Sequence, residues 1–297
     1  MRKKLLSALL AVCMALTLLP GAALAEEGEE RYFRSTLTDG EGKIYDAFVN
    51  DLEAVRSGKA VKVEKAAILD VRRAVLALNR DFPELFWLGS GYDIRYGSSG
   101  ADIAVPYSAS WAGGDRKIAA DQTAVSSAAA AIVKEAKKAA TPAAQLRYVH
   151  DWLTKNNQYN TSVSEADTDS APFSAVSALD AKLSPVCEGY SRAFKLICDE
   201  LEIPCILVSG TGTDNQNKAG AHMWNYVELD GAWYAVDVTW DDPVAKGGKG
   251  SNGTDTYFLV GRNTKNDAGR TFASSHKNDA DLTYPALSAE KYTPATG

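Results

Sequence analysis

Apolar residues between positions 40 and 80 recur at helical spacing. Ile44, Phe48, Leu52 and Val55 form one series, and Ile68, Val71, Val75 and Leu78 form another, so two helices are predicted. The second ends at Pro83, inside the aromatic link DFPELFWLGSG. The pattern then changes to alternation: Tyr92-Ile94-Tyr96 and Ile103-Val105-Tyr107 flank GSSG and predict a hairpin. An alanine-rich helix is expected over about Asp121 to Ala140. Thr141 then caps a further helix with Pro142 in its first position and Leu146, Val149 and Leu153 on its apolar side. Asn156 to Pro172 is polar and reads as loop. From Ser174 onward apolar residues become denser, with strands predicted near 206–209, 222–229, 232–239 and 256–260. Helices first and strands afterwards describe an α+β protein rather than a doubly wound one.

Residues 1–25 read as a leader rather than as part of the fold. Arg2, Lys3 and Lys4 precede an apolar run from Leu5 to Leu19, and Ala23-Leu24-Ala25 offers small residues for cleavage. The run is shorter than the ~20 residues of a membrane span, so export with cleavage is expected. Cys13 lies mid-run behind Val12 and reads as apolar filler rather than a lipid attachment site. The remainder divides into an N-terminal helical and hairpin region at 26–120 and a C-terminal core at 121–297. Losing the three leader cations takes the formal net charge from −6 to −9. That excludes nucleic acid and anionic membrane as partners, since both call for a basic surface. Three of the four cysteines then remain, an odd number, so at least one thiol stays free in an oxidising compartment.

All three lie in SPVCEGYSRAFKLICDELEIPC, residues 184–205. Ser184 reads as a helix cap and Pro185 as the first helical residue, followed by an apolar stripe of Val186, Tyr190, Ala193, Phe194, Ile197 and Leu201. Cys187 falls in the first turn, beside that stripe. Unpaired N–H groups at a helix start favour an anion and so a thiolate, the form in which cysteine acts as a nucleophile. Buried cysteines at helix starts are common, so this stretch alone does not establish catalysis.

A second stretch, AHMWNYVELDGAWYAVDVTWDDP at 221–243, supplies partners. Asp230-Gly231 between two apolar runs is a hairpin turn. It pairs Leu229 with Ala232 and, counted outward, sets His222 opposite Thr239, with Asp237 diagonal to His222 on the same face. The strands are apolar on both sides and should be buried. An unpaired aspartate there is costly, and a histidine partner removes that cost. Cys187, His222 and Asp237 in that order supply a nucleophile, its base and the group that orients the base.

These two stretches closely resemble the transglutaminase-like superfamily, in particular its secreted bacterial members, over about residues 145–260. DFPELFWL and YVHDWLTKNNQY are similar to segments of the same proteins. The resemblance implies a core like that of papain-type enzymes: a helix carrying the cysteine, packed on an antiparallel sheet carrying histidine and aspartate. Carried over position by position, the nucleophile is Cys187, the base His222 and the orienting acid Asp237. Glu188 stands where animal transglutaminases have tryptophan. Their calcium sites have no counterpart here, so neither metal nor other cofactor is implied. Papain-type enzymes place a glutamine six residues before the cysteine, where this chain has Ala181. Trp152 lies roughly where animal transglutaminases carry an indole donor, but a core tryptophan on a helix is the favoured reading, which leaves the backbone N–H of Cys187 as the expected oxyanion donor.

Other candidates read as structural. His150 beside Asp151 sits on a helix, and His276 in SSHKND reads as a loop residue that reaches the site rim at most. Cys198 and Cys205 are either two buried thiols or one bridge, and export favours the bridge. The segments 210–220 and 246–255 are glycine- and asparagine-rich, each either a flap or a solvated loop. The expected function is a secreted cysteine enzyme acting on amide bonds of peptides or proteins, cell-wall-associated ones included, with hydrolysis favoured. The alternatives are a cross-linking acyltransferase and an idle polypeptide-binding module. A metal-binding protein is disfavoured because no CxxC-type pair exists.

Overall fold

The computed structural model describes residues 31–64, 66–164, 171–180, 183–242 and 253–294. The leader, Ala181 and most of the 246–255 segment lie outside the described residues. A one-turn helix α1 (Tyr32–Ser35) leads into α2 (Asp39–Asn50). A capping box opens α2: Glu41 N donates to Thr38 Oγ1 (3.4 Å) and Thr38 N donates to Glu41 Oε2 (2.9 Å). After α3 (Leu52–Arg56) and a short strand β1 (Val61–Val63), α4 (Ile68–Asp81) packs Val71, Val75 and Leu78 against the buried face of α2. Ile68, counted into that face from the sequence, is instead 57% exposed on the first turn. The helix stops before Pro83, whose ring disfavours helical backbone in the residue preceding it.

Strands β2 (Asp93–Tyr96) and β3 (Ala101–Ala104) form the expected hairpin, with Ile94 opposite Ile103. Val105 and Tyr107, counted into it, lie past its end. The hairpin is not isolated, because β1 pairs with the free side of β3 and gives a sheet of order β1-β3-β2. Helix α5 (Asp115–Ala136) starts earlier than Asp121 and ends before Ala140. Helix α6 (Pro142–Asn156) begins as its sequence indicates, Thr141 Oγ1 accepting from Ala144 N at 3.3 Å.

The core is built around α8 (Cys187–Glu200), which follows a short α7 (Ala175–Leu179). Ser184 and Pro185 precede α8 rather than start it; Val186, in extended backbone, is the capping position. Burial is not confined to one stripe, since every residue from Gly189 to Cys198 is buried. The polar members are matched: Arg192 donates to Glu188 (2.8 Å) and to Asn79 O (3.0 Å), and Lys195 donates to Asp199 (2.9 Å). Helix α8 lies against a second sheet made of β4 (Cys205–Thr213), β5 (Ala219–Leu229) and β6 (Ala232–Val236).

The chain then turns into α9 (Val238–Asp241), and later into α10 (Phe272–Ser275) and an edge strand β7 (His276–Asn278), so the antiparallel order is β6-β5-β4-β7. The α+β layout expected from the sequence is thus present. Three local expectations are not. Strand β6 stops at Val236 rather than 239. Residues 256–260 form no strand and pair with the sheet at one bridge, between Val260 and Ala235. The segment 210–220 is mostly β4 and β5, joined at a tight turn where Asp214 Oδ1 accepts from Gln216 N (2.8 Å) and Lys218 N (2.9 Å), so it is a hairpin with an exposed tip rather than an irregular loop.

His150 ties α6 to the corner at α9. Its side chain is fully buried, with Nδ1 3.2 Å from Asp151 Oδ1 and Nε2 3.1 Å from Asp241 Oδ2. Burial opposes its charge, but the hydrogen bonds to Asp151 and Asp241 outweigh burial and raise its pKa. A raised folded value means that the stabilisation is complete below the unfolded value of about 6.5 and is lost as pH climbs through the folded one. His150→Leu leaves Asp241 buried without its charge partner and should destabilise the fold by about 3 kcal/mol at pH 6. Urea unfolding at pH 6 and pH 9 checks this: the gap between wild type and variant should shrink at the higher pH, and a constant gap would contradict a charged His150.

Candidate active site

Cys187 is the first residue of α8 and is partly exposed. The chain reaches it in a fixed path: Val186 N donates to Pro172 O (3.0 Å), and Pro185 O accepts from Asn160 N (2.9 Å). No side chain caps the helix, so the amides of its first turn are left to whatever lies beside the sulfur. Gly189 permits this packing, since a Cβ there would sit 2.5 Å from both Pro172 O and Ser177 Oγ.

His222 lies on β5 opposite Gly210 of β4. Gly212 leaves room for its ring, where a Cβ would come within 3.1 Å of His222 Cβ and Cδ2. The Asp230-Gly231 turn has φ of 53° and 75°, the doubly positive pair that such a two-residue turn needs. The register counted from it holds from Leu229↔Ala232 to Asn225↔Val236. It then ends, so His222 never faces Thr239 across the sheet. Asp237 instead becomes the N-cap of α9, its Oδ1 accepting from Trp240 N at 3.0 Å. The same turn swings Oδ2 to 2.7 Å from His222 Nε2. The carboxylate and imidazole expected to meet do so, by a route different from a strand diagonal.

With Nε2 given to Asp237, Nδ1 is left for a partner on the side of Cys187, which interacts with His222 electrostatically. Burial works against the imidazolium, but the charge and hydrogen bond of Asp237, followed by the attraction of the Cys187 sulfur for a ring N–H, push His222 up to about 10. Asp237 has no exposed surface; burial opposes its ionisation, yet His222 and then His276 hold it well below the usual carboxylate range.

His276, which the sequence presents as a loop residue reaching the site rim at most, stands inside the site. It is buried, with Nε2 3.0 Å from Asp237 Oδ2 and Nδ1 2.9 Å from Ser275 Oγ. Its segment, SSHKND, has neither alternation nor helical periodicity, and a three-residue edge strand leaves no pattern by which to find it. Trp240 stacks on His222 at 5.0 Å and 25°.

Among the described residues, His222, Asp237 and His276 are the group whose donor atoms could surround a metal ion, all within 4.8 Å of one another. Those atoms already partner each other, Asp237 Oδ2 serving both rings, so the trio is internally satisfied. Trp152 is half-buried on α6 and packs against the core. Cys198 and Cys205 are buried free thiols rather than the bridge that export favoured, and burial followed by contact with Cys205 pushes Cys198 upward.

Residues 128–238 match the family model described as the transglutaminase-like superfamily. The chain is 25% identical over 103 residues to the kyphoscoliosis peptidase of Mus musculus, a stretch covering 32% of this chain and 15% of that protein. For the Homo sapiens counterpart the match is 25% over 111 residues, 35% of this chain and 16% of that one. The chain therefore spans about one sixth of these relatives. Two solved structures are similar at low superposition scores. A candidate cysteine protease from Cytophaga hutchinsonii has a TM-score of 0.31 and 15% identity over 52% of this chain and 63% of that one. A structure described as a TGase has a TM-score of 0.36 and 12% identity over 65% of this chain and 54% of that one. His276 lies beyond the matched segment, whereas Cys187, His222 and Asp237 lie within it.

Proposed function

We propose that the protein is an exported cysteine enzyme that cleaves amide bonds in peptides or proteins, cell-wall-associated ones included, through a thioester on Cys187. One observation carries this reading: His222 is held by Asp237 at 2.7 Å and lies close enough to Cys187, at the start of α8, for the sulfur to favour the charged form of the ring. The leader-like residues 1–25 support export. Among the described residues no helix is long and apolar enough to cross a membrane.

In this reading His222 holds the proton taken from Cys187, and the thiolate sulfur attacks the amide carbonyl carbon. The carbonyl π pair moves onto oxygen, which the uncapped first-turn amides of α8 receive. Collapse breaks the C–N bond as His222 gives its proton to the departing nitrogen, and an amine leaves. Water then attacks the thioester and His222 takes its proton. The second tetrahedral adduct collapses with breakage of its C–S bond, which releases the acid, and the proton held by His222 restores the starting Cys187–His222 pair. Asp237 keeps the ring oriented and favours its charged form throughout.

Hydrolysis is favoured over transfer to a lysine amine. Glu188, the carboxylate next to the nucleophile, is engaged by Arg192 at 2.7 Å and lies 3.5 Å from Arg80, so it does not offer a free anion to attract a cationic acceptor. The observation favouring the second reading, cross-linking, is the indole of Trp240 stacked on His222, which walls one side of the base from water.

Three outcomes follow. Iodoacetamide near pH 6 should modify Cys187 ahead of the buried Cys198 and Cys205, as peptide mass spectrometry will show; equal labelling of all three would remove the nucleophile. With a glutamine-containing peptide and excess fluorescent primary amine, release of the hydrolysed product should exceed amine incorporation, and both should vanish in Cys187→Ala. Incorporation outpacing hydrolysis would establish the transferase instead. Asp237→Asn should lower kcat by about 10⁴-fold, the scale seen when such an orienting carboxylate is neutralised. It should also move the alkaline limb of the rate profile to lower pH, because the charge that raises His222 is gone. An unmoved limb would mean that His222 does not titrate in it.

A further inference from the structure

The second imidazole on Asp237 has no part in the steps above, and its surroundings are as closely built as those of His222. Strand β7 pairs with β4 so that His276 stands opposite Gly212, the same glycine that makes room for the His222 ring. The fit between these strands is tight, since a Cβ at Gly210 would lie 1.9 Å from Lys277 O. The His276 ring lies flat on Phe272, with centroids 4.0 Å apart and planes 9° from parallel. Trp224 meets it edge-on at 4.9 Å and Trp240 lies at 4.5 Å. Its orientation is therefore fixed before any partner is considered.

The partner follows from elimination on the carboxylate. Asp237 is ionised and can only accept. Its Oδ1 takes the Trp240 amide, and Oδ2 lies 2.7 Å from one imidazole and 3.0 Å from the other, so both rings must present N–H there. Three donors on one buried carboxylate leave it no freedom to rotate. Take away His276, and Oδ2 depends on His222 alone at a fully buried position, beside the rings of Trp224, Trp240, Tyr257 and Phe272 that pack on His276.

We propose that His276 is a positioning residue for the chemistry of Cys187 and His222: its Nε2–H fixes the Asp237 carboxylate that in turn orients the base. This rests on the acyl-transfer reading given above. The groups that face His276 from the elements packed around it are Asp237 at the start of α9, His222 on β5 and Tyr257, whose ring is 5.5 Å away. Burial, opposed by the bond to Asp237 and aided by the His222 charge, lowers the pKa of His276, so it donates as a neutral ring and does not compete with the His222 imidazolium for the carboxylate charge.

Two substitutions separate a donor from a packing role. His276→Phe keeps a flat ring on Phe272 and loses the N–H, whereas His276→Gln loses the ring and keeps an N–H near the place of Nε2. The readout is the rate at which iodoacetamide alkylates Cys187 between pH 5 and 9, followed by mass spectrometry on the full chain, together with turnover of a quenched-fluorescence peptide. A positioning role predicts that His276→Phe loses about 10- to 100-fold in kcat and in alkylation rate near neutrality, the range typical of groups that orient a site residue. Its pH profile should shift, while His276→Gln recovers most of the loss. If His276→Phe alkylates and turns over like wild type, or His276→Gln falls as far as His276→Phe, the inference is overturned. Should His276→Phe not fold, His276→Asn, whose amide falls short of Nε2, takes its place with the same two outcomes. If wild-type Cys187 reacts no faster than it does in the urea-unfolded chain, the acyl-transfer reading itself fails and this inference with it. Fast wild-type alkylation with an unaffected His276→Phe removes the role of His276 alone.

Discussion

A carboxylate sealed from solvent stays ionised only where donors and positive charge replace its lost hydration, and the geometry around Asp237 follows from that requirement. The backbone leaves β6 at this residue and begins α9, so one oxygen is satisfied by the Trp240 amide. The other needs donors from outside the local chain. They arrive from β5 and from β7, the latter 39 residues further along the sequence. Histidine suits both positions, because its ring reaches across a strand and gives one N–H without forcing a permanent second charge into the core.

The same logic extends along α9. Asp241 and Asp242, both buried, are held by different parts of the molecule: Asp241 by His150 of α6 and by the Tyr257 amide, Asp242 by the hydroxyl of Tyr190 on α8. The corner TWDD is thereby anchored to α6, to the cysteine-bearing helix and to the sheet at once. Of these contacts, the one between Asp242 and Tyr190 joins α9 directly to the helix that carries Cys187.

The amino-acid sequence exposed those parts of this arrangement that local rules govern. Thr141-Pro142 marked a helix start, the Asp230-Gly231 turn set a register that holds as far as Val236, and Cys187 fell in a first turn although the cap lay two residues further on than Ser184-Pro185 indicated. Past Val236 the register misled, because an aspartate that caps a following helix ends its strand, a competition that apolar alternation does not register. The bracketing of Asp237 by His276 was not legible, since the contact is long-range and β7 is too short to leave a pattern. The full burial of α8 was hidden in a similar way: Arg192 and Lys195 look solvent-facing until Glu188, Asn79 and Asp199 are brought beside them.

All three histidines of the chain, His150, His222 and His276, have side chains almost or wholly removed from solvent, and each faces an aspartate. The molecule therefore has no surface imidazole. In most proteins the spectroscopic signals of interior histidines are crowded by exposed ones that titrate near neutrality. Here every imidazole resonance arises from a carboxylate-bound ring, two of them on the same oxygen. A nuclear magnetic resonance spectrum of ring protons or ¹⁵N-labelled histidine would thus read the electrostatics of the interior directly, free of background. The Asp237 pair would appear as two coupled signals beside one independent signal from α6.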